Sequence, residues 1–276
     1  MRSLALVDSW PVETVATGVV LADGTPAGWR GPVERPFPLA SVTKPLAAYA
    51  ALIAVEEGAI ELAEPAGPEG STVRHLLAHA SGLAFDEPRV MAPPGERRLY
   101  SNAGFDALGD HIAKATGMPF AEYLRQAVCE PLGMTGTELP GSPAKDGVST
   151  VADLIRFGAE LLRPRLLAPE TLAEATAVVF PGLNGVLPGF GHMRPNDWGL
   201  GFSLRGHKSP HWTGARSSPR TFGHFGQSGT FLWVDPDAGA ACATLTDRVF
   251  GPWAAAAWPP FTDAVLAELA EPGPAA

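Results

Sequence analysis

The sequence predicts an α+β fold, with an antiparallel sheet completed by both ends of the chain, helices flanking it, and an all-helical subdomain inserted between the ends. Three observations carry this. Val12 to Leu21 is a Val- and Thr-rich run closed by the turn signal Ala22-Asp-Gly-Thr-Pro26. Three further strand-like runs, Thr221 to Gly226, Gly229 to Val234 and Ala240 to Thr246, crowd toward the other end. Between them, residues 63–178 read almost wholly as helix. The expected organisation is therefore a sheet subdomain made of 1–62 and 179–276, a helical subdomain of 63–178, and an active site in the cleft between them.

The elements follow in order. Ala27 to Gly31 reads as the returning strand of the first hairpin, and Pro36 and Pro38 lead into Phe37-Pro-Leu-Ala-Ser41-Val-Thr-Lys44-Pro45. Proline is tolerated in a first helical turn, Leu46 to Glu57 is rich in helix formers, and Gly58 can end the helix. The run from Leu46 to Val55 is apolar all round, which predicts a buried helix. An acidic, Pro- and Gly-rich stretch over 61–70 suits a crossing between subdomains, and Val73 to His79 reads as a short amphipathic helix. A loop with Pro88, Pro93, Pro94 and Gly95 delivers the chain to Tyr100-Ser-Asn102. Helices are expected from Gly104 to Thr116 and from Pro119 to Cys129. Thr150-Val-Ala-Asp153 has the form of a capping box opening a helix to Leu162, and Pro169 to Ala177 makes another. After Phe180 the texture turns to Gly, Pro, His and Trp, with a strand expected over Trp198 to Leu204. Asp235-Pro-Asp-Ala-Gly239 supplies a turn, and Thr262 to Leu269 a final helix.

Composition removes several classes of function. A hydrophobic share of 46% with 18% charged residues is that of a globular chain, not a disordered one. A net charge of −9 argues against nucleic acid or an anionic membrane as partner, since both require basic patches. Cys129 and Cys242 lie far apart and suggest neither a disulfide framework nor a metal site. The apolar stretch over residues 1–8 is too short for a signal segment, and Asp8 and Pro11 interrupt it. No run reaches the ~18 apolar residues of a membrane span. A cytoplasmic, thiol-reducing setting is expected, with no metal, no cofactor and an undetermined oligomeric state.

The chemistry centres on Ser41 and Lys44. Three residues apart on one helical turn, they share a face, where an amine beside a hydroxyl can help remove its proton. The spacing alone is weak, because Ser142-Pro-Ala-Lys145 repeats it among Pro140, Gly141, Pro143 and Gly147, where no helix can hold the pair on one face. Ser41 gains weight from Tyr100-Ser-Asn102 ahead of a helix and His224-Phe-Gly226 on a late strand. His75 and His79 share a helical face but lack a third ligand, so core or capping roles are expected for them. His207 and His211 fall in a loop read as surface. Gly226-Gln-Ser-Gly229 falls short of a G-x-S-x-G elbow, which counts against Ser228 as a nucleophile.

Taken in that order, the three motifs resemble the serine β-lactamase-like superfamily, in particular class C β-lactamases and their esterase, D-aminopeptidase, D,D-carboxypeptidase and penicillin-binding-protein relatives. Leu76-Leu-Ala-His-Ala-Ser-Gly-Leu83, Pro131-Leu-Gly-Met134 and Trp198-Gly-Leu-Gly-Phe202 extend the resemblance over about residues 12–248. It implies a β-lactamase/transpeptidase-like fold. It also implies an acyl-enzyme on Ser41, proton transfer shared by Lys44 and Tyr100, and Asn102 bonded to Lys44 and to the substrate. The oxyanion hole would use the backbone N–H groups of Ser41 and of Gln227, which follows Gly226. The family's third motif is Lys-Thr-Gly in β-lactamases and penicillin-binding proteins; here it is His224-Phe225-Gly226, a poorer anion anchor. The expected function is thus a serine hydrolase acting on a small ester or amide, esterase-like rather than an efficient β-lactamase. The alternatives are an acyltransferase using the same intermediate, a β-lactamase or D,D-peptidase, and a non-catalytic binding module.

Overall fold

The computed structural model describes residues 1–271, so the last five residues of the expected 179–276 segment lie outside the described residues. After a 3-10 turn at Ser3–Ser9 the chain forms β1 (Val15–Leu21), β2 (Pro26–Arg30) and the short β3 (Phe37–Pro38). A second 3-10 turn, Ala40–Val42, runs into α1 (Thr43–Glu56). The middle supplies α2 (Val73–Leu77), α3 (Asn102–Thr116), α4 (Phe120–Leu124), β4 (Val148–Ser149), α5 (Val151–Leu162) and α6 (Pro169–Ala175). The hairpin β5 (Gly185–Leu187) and β6 (Gly191–Met193) follows. The chain ends with β7 (Ser203–Leu204), β8 (Phe222–Gly226), β9 (Thr230–Asp235), β10 (Ala240–Thr246) and α7 (Pro252–Leu269).

The main sheet has six strands in the order β2-β1-β10-β9-β8-β7, and its named pairings are antiparallel. The two ends of the chain meet where β1 pairs with β10, Val15 opposite Thr246 and Leu21 opposite Ala240. Alternation along β9 sorts the core into two layers. Phe231 and Trp233 join Trp258 and Phe261 of α7 and Leu4 and Val7 of the first turn on one face. Leu232 and Val234 join α1 and α5 on the other. A one-residue slip of register would exchange the two sets, so the pattern itself fixes the pairing.

α1 is the pivot of the second layer. Every residue from Thr43 to Ala54 is buried, as its all-round apolar text requires. Its end is closed by Gly58 at φ +71, with Gly58 N–H donating to Val55 O and Ala59 N–H to Ala54 O. α5 packs across β1, β9 and β10, so this helix of the 63–178 segment lies on the sheet. Thr150 caps it by accepting from the Asp153 N–H at 3.0 Å. The reciprocal half of the expected capping box is replaced: Asp153 turns instead to Gly136 N–H and the Thr137 hydroxyl, both 2.8 Å away.

Four expectations are corrected. Of the strand expected over Trp198 to Leu204, only Ser203–Leu204 pairs in the sheet ladder, apart from a single bridge between Trp198 and Ser203. The chain turns instead, Gly199 N–H donating to Phe202 O, with Gly201 at φ +86 pressed against Ala48 of α1. The last helix starts ten residues before Thr262 and carries Pro259 and Pro260 inside it. Burial of Ala254, Trp258 and Phe261 against the sheet outweighs the prolines' local cost. The Gly- and Pro-rich text after Phe180 also contains the β5–β6 hairpin. Finally, His211 is buried rather than surface, its Nδ1 2.8 Å from the Thr213 hydroxyl. None of the helices formed by the described residues is long and apolar enough to cross a membrane.

Gly201→Ala tests the turn that replaces the expected strand. The new methyl group would overlap the Cβ of Ala48 in a left-handed backbone, whereas one added at Gly24 (φ +85) meets nothing within 4 Å. Gly24→Ala is expected to lose about 1 kcal/mol in urea denaturation. Gly201→Ala should lose about 2 kcal/mol more; equal losses would mean that α1 does not depend on this contact.

Candidate active site

Ser41 is held by backbone geometry on one side and a glycine on the other. Ala40, just before it, sits at φ +46, a left-handed conformation that costs a non-glycine residue about 1 kcal/mol or more. The Thr43 hydroxyl donates to Ala40 O at 2.7 Å, and the Thr230 hydroxyl of β9 donates to Leu39 O at 2.8 Å. Gly226, at the end of β8, lies so close to Leu39 O that a Cβ there would overlap it. The start of α1 is thereby clamped against the sheet edge, with Ser41 at the junction.

Lys44 lies one turn further on, fully buried. Its Nζ is 3.4 Å from Ser41 Oγ and donates to Asn102 Oδ1 at 2.6 Å and to Ala144 O at 2.9 Å. Burial pushes its pKa well below the usual lysine value, against a smaller opposing pull from Asp106 and Asp86. Asn102 opens α3, and its Nδ2 donates to Asp86 Oδ1 at 2.7 Å. A carboxylate can only accept, so Asp86 fixes the amide with its oxygen toward Lys44. Asp86 is in turn 3.3 Å from Lys145 Nζ.

Tyr100 closes the group from the loop before α3. Its ring centroid is 4.6 Å from Lys44 Nζ, and its Oη is 3.3 Å from His224 Nε2. His224 Nδ1 is 2.6 Å from the Phe225 carbonyl. Because that oxygen only accepts, Nδ1 carries the proton and Nε2 is left to accept from the Tyr100 hydroxyl. Burial, reinforced by Lys44, pushes His224 down to about 3. Burial also raises Tyr100 above the usual phenol value, opposed by the nearby Ser41 hydroxyl.

The structure brings the seven residues singled out from the sequence together. Ser41, Tyr100, His224 and Gln227 line one cavity of about 240 Å³, whose apolar walls include Phe85, Leu187, Trp198 and Phe225. Lys44 and Asn102 lie buried beneath Ser41, and Gly226 forms the close wall. His224 has both ring nitrogens engaged by the protein; Asn102 makes the expected bond to Lys44 through Oδ1, while its Nδ2 donates to Asp86. Two contributors carried no sequence signal. Ser142-Pro-Ala-Lys145 is indeed no helix, yet its Ala144 carbonyl holds Lys44, a role any residue type could fill. Asp86, in the loop that leads to Tyr100, belongs to no motif and reaches Asn102 only through the fold. Away from the site, His75 Nδ1 is 2.8 Å from the Thr72 hydroxyl in a cap, and His79 is buried behind the Tyr100 ring with its centroid 4.5 Å away. Both match the core or capping roles expected of them.

A family model described as Beta-lactamase matches residues 10–267. The chain belongs to the β-lactamase family. Over 97% of its length it superposes on 99% of the crystal structure of a β-lactamase from Mycobacterium bovis, with a TM-score of 0.95 and 54% sequence identity. Penicillin-binding protein 4* of Bacillus subtilis is 29% identical over 136 residues, covering 37% of this chain and 30% of that protein. Monacolin J acid methylbutanoyltransferase of Aspergillus terreus is 27% identical over 156 residues, covering 37% of this chain and 38% of the relative. These matches thus span about a third of each curated relative's own length. The fold is β-lactamase/transpeptidase-like, and this β-lactamase-fold serine hydrolase family also includes acyltransferases.

The buried histidines of this family member make its stability depend on pH. His79, His211 and His224 all have folded-state values lowered by burial, while in the unfolded chain each titrates near ~6.5. Below that value the unfolded state binds more protons than the folded one, so stability falls as pH drops. The slope approaches about 1.4 kcal/mol per pH unit for each histidine. Urea unfolding at pH 7, 6 and 5 is expected to show the loss, and His224→Gln should reduce the slope by about one such increment. A flat profile from pH 7 to pH 5 would contradict the burial of these rings in neutral form.

Proposed function

We propose that the chain is a serine hydrolase that cleaves an ester or amide through an acyl-enzyme on Ser41, esterase-like rather than an efficient β-lactamase. The observation that carries this reading is the environment of Lys44. A neutral amine has two N–H bonds and one lone pair. Asn102 Oδ1 and Ala144 O are the two close acceptors, and Ser41 Oγ is the most distant at 3.4 Å. Once Nζ is neutral, the two close acceptors take its two N–H bonds and the lone pair is free to turn to the Ser41 hydroxyl. Burial favours that neutral form. Lys44 then takes the Ser41 proton as Oγ attacks the carbonyl carbon. The oxyanion would be held by the backbone N–H groups of Ser41 and Gln227, each worth ~3 kcal/mol at the transition state.

The leaving group takes its proton from the Tyr100 hydroxyl, and the proton gathered by Lys44 restores Tyr100, so the cycle balances. Water then repeats the steps in the second half-reaction. His224, held in the Nδ1–H form by the Phe225 carbonyl, orients the Tyr100 hydroxyl. Catalysis would occupy the cleft between the two segments read from the sequence. Ser41, Lys44, His224, Gly226 and Gln227 come from 1–62 and 179–276, and Tyr100 and Asn102 from 63–178.

The neutral, buried His224 supports the esterase-like preference, since it supplies no cation for a β-lactam's carboxylate. Transfer of the acyl group to an alcohol instead of water needs only a different second nucleophile, and the matched methylbutanoyltransferase favours keeping that variant. Cys129 and Cys242 are free and buried, which suits the cytoplasmic setting we propose.

Intact-mass analysis after fluorophosphonate treatment is expected to show one adduct on Ser41, absent from Ser41→Ala. Tyr100→Phe should lower kcat on a chromogenic short-chain ester by about 10²–10⁴-fold while urea stability stays within about 1 kcal/mol. Ester turnover that survives Ser41→Ala would remove Ser41 as nucleophile, and an unlabelled, inactive wild-type chain would favour a binding module.

A further inference from the structure

The walls of the Ser41 cavity are shared with a second space. Phe85, Tyr100 and Pro188 line both the 240 Å³ cavity and a larger one of about 790 Å³ that adjoins it. The larger space lies between the loop over residues 83–100 and the β5–β6 segment over residues 182–194. Its lining combines two surfaces that are each unusual for this molecule. Phe85, Met91 and Val186 are about half exposed there, three of the eight exposed large apolar side chains among the described residues. Apolar exposure concentrated at a concave site is a mark of ligand binding rather than of ordinary surface.

Charge is the second feature. The chain carries a net −9, yet this cavity is lined by Arg89, Arg97, Arg98 and Arg194 against the single acid Glu96. Two of these cations are already committed. Arg98 is buried, and its guanidinium donates to the carbonyls of Ala78, Val179, Phe180 and Asn196. Arg89 pairs with Glu87 at 3.3 Å. Arg97 and Arg194 are exposed and make no side-chain hydrogen bond or ion pair among the described residues. Guanidinium groups recognise carboxylate and phosphate through paired N–H donors, and a cation-lined cleft concentrates anions from solution.

We propose that this annex receives the far end of the substrate: an apolar segment ending in a carboxylate or phosphate, attached to the ester or amide that Ser41 attacks. The apolar segment lies against Phe85, Met91 and Val186, and the anion is taken by Arg97 and Arg194. The inference deepens the serine hydrolase reading and rests on it for the bond cleaved, but the binding site itself can be tested without turnover.

Two ester pairs locate the anion. On the acyl side, the mono-nitrophenyl ester of adipic acid is compared with its methyl-capped counterpart. On the alcohol side, the acetate ester of a hydroxyhexanoate is compared with its methyl-capped form. At low ionic strength the anionic member of at least one pair should show a kcat/KM about tenfold above its neutral partner, mainly through KM. Salt should shrink the ratio, and the double variant Arg97→Gln/Arg194→Gln should abolish it. In parallel, Ser41→Ala should bind hexyl phosphate in calorimetry about tenfold more tightly than the same protein carrying both arginine substitutions. No anionic preference in either pair, with equal hexyl phosphate binding by the two proteins, overturns the annex even if neutral esters are hydrolysed. If no ester is hydrolysed but the arginine substitutions still weaken hexyl phosphate binding, the annex stands and the hydrolase reading fails.

Discussion

Burial of Lys44 without a carboxylate in hydrogen-bond contact sets the terms for everything around it. An isolated ammonium in an apolar interior costs several kcal/mol, and proteins avoid that cost by pairing the charge or releasing the proton. Here Asn102 Oδ1 and Ala144 O satisfy the N–H bonds without supplying a negative charge. The acids are held back: Asp86 acts through the Asn102 amide, and Asp106 accepts from the Ser142 hydroxyl. A carboxylate bonded directly to Nζ would keep Lys44 charged and unable to serve as the base proposed for Ser41. The arrangement is intelligible as a way of keeping a lysine basic enough to act and neutral enough to accept.

That electrostatic setting needs a rigid floor, and α1 provides it. A helix buried on every side has its rotation and height fixed by packing, so the residues at its start inherit that precision. The strain at Ala40 and the absent side chain of Gly226 belong to the same requirement. Strand β8 must reach the chain at Leu39 and Ala40 closely enough for Ser41 and Gln227 to face one cavity. The core on both faces of the sheet offsets the local cost.

Much of the candidate site was legible in the sequence because its members are side chains at fixed positions on or beside regular elements. Ser41, Lys44 and Tyr100 could be named, and α1 could be recognised as buried from its unbroken apolar text. The completion of one sheet by both ends of the chain followed from strand-like runs bounded by turn signals. What escaped reading was carried by backbone or by long-range packing. The Ala144 carbonyl has no residue-type signature, and Asp86 matters only because the fold brings it to Asn102. Pro259 and Pro260 disguised the first half of α7, whose helical state depends on Trp258 and Phe261 meeting the sheet. Trp198 to Leu204 read as one strand because close helix approach at Gly201 is invisible in a one-dimensional pattern. His211 looked exposed in a polar loop because nothing in its neighbours announced burial.

The position of His224 links the two ends of this logic. Lys44 disfavours protonation of His224, and by the same repulsion a permanently cationic residue at 224 would make Lys44 harder still to protonate in the proton transfer proposed for Ser41. A neutral imidazole with its Nδ1–H fixed by Phe225 avoids that conflict and still offers Tyr100 an acceptor. The cost is a cavity wall with no positive charge where the family's lysine-bearing members have one. Arg97 and Arg194 line the adjoining space beyond Phe85 and Tyr100, and neither is among the groups that shift Lys44, which are burial first and then Asp106, Asp86 and Lys145. In the reading proposed here, the anion-attracting charge and the proton-transfer group are separate, so one cleft can hold both.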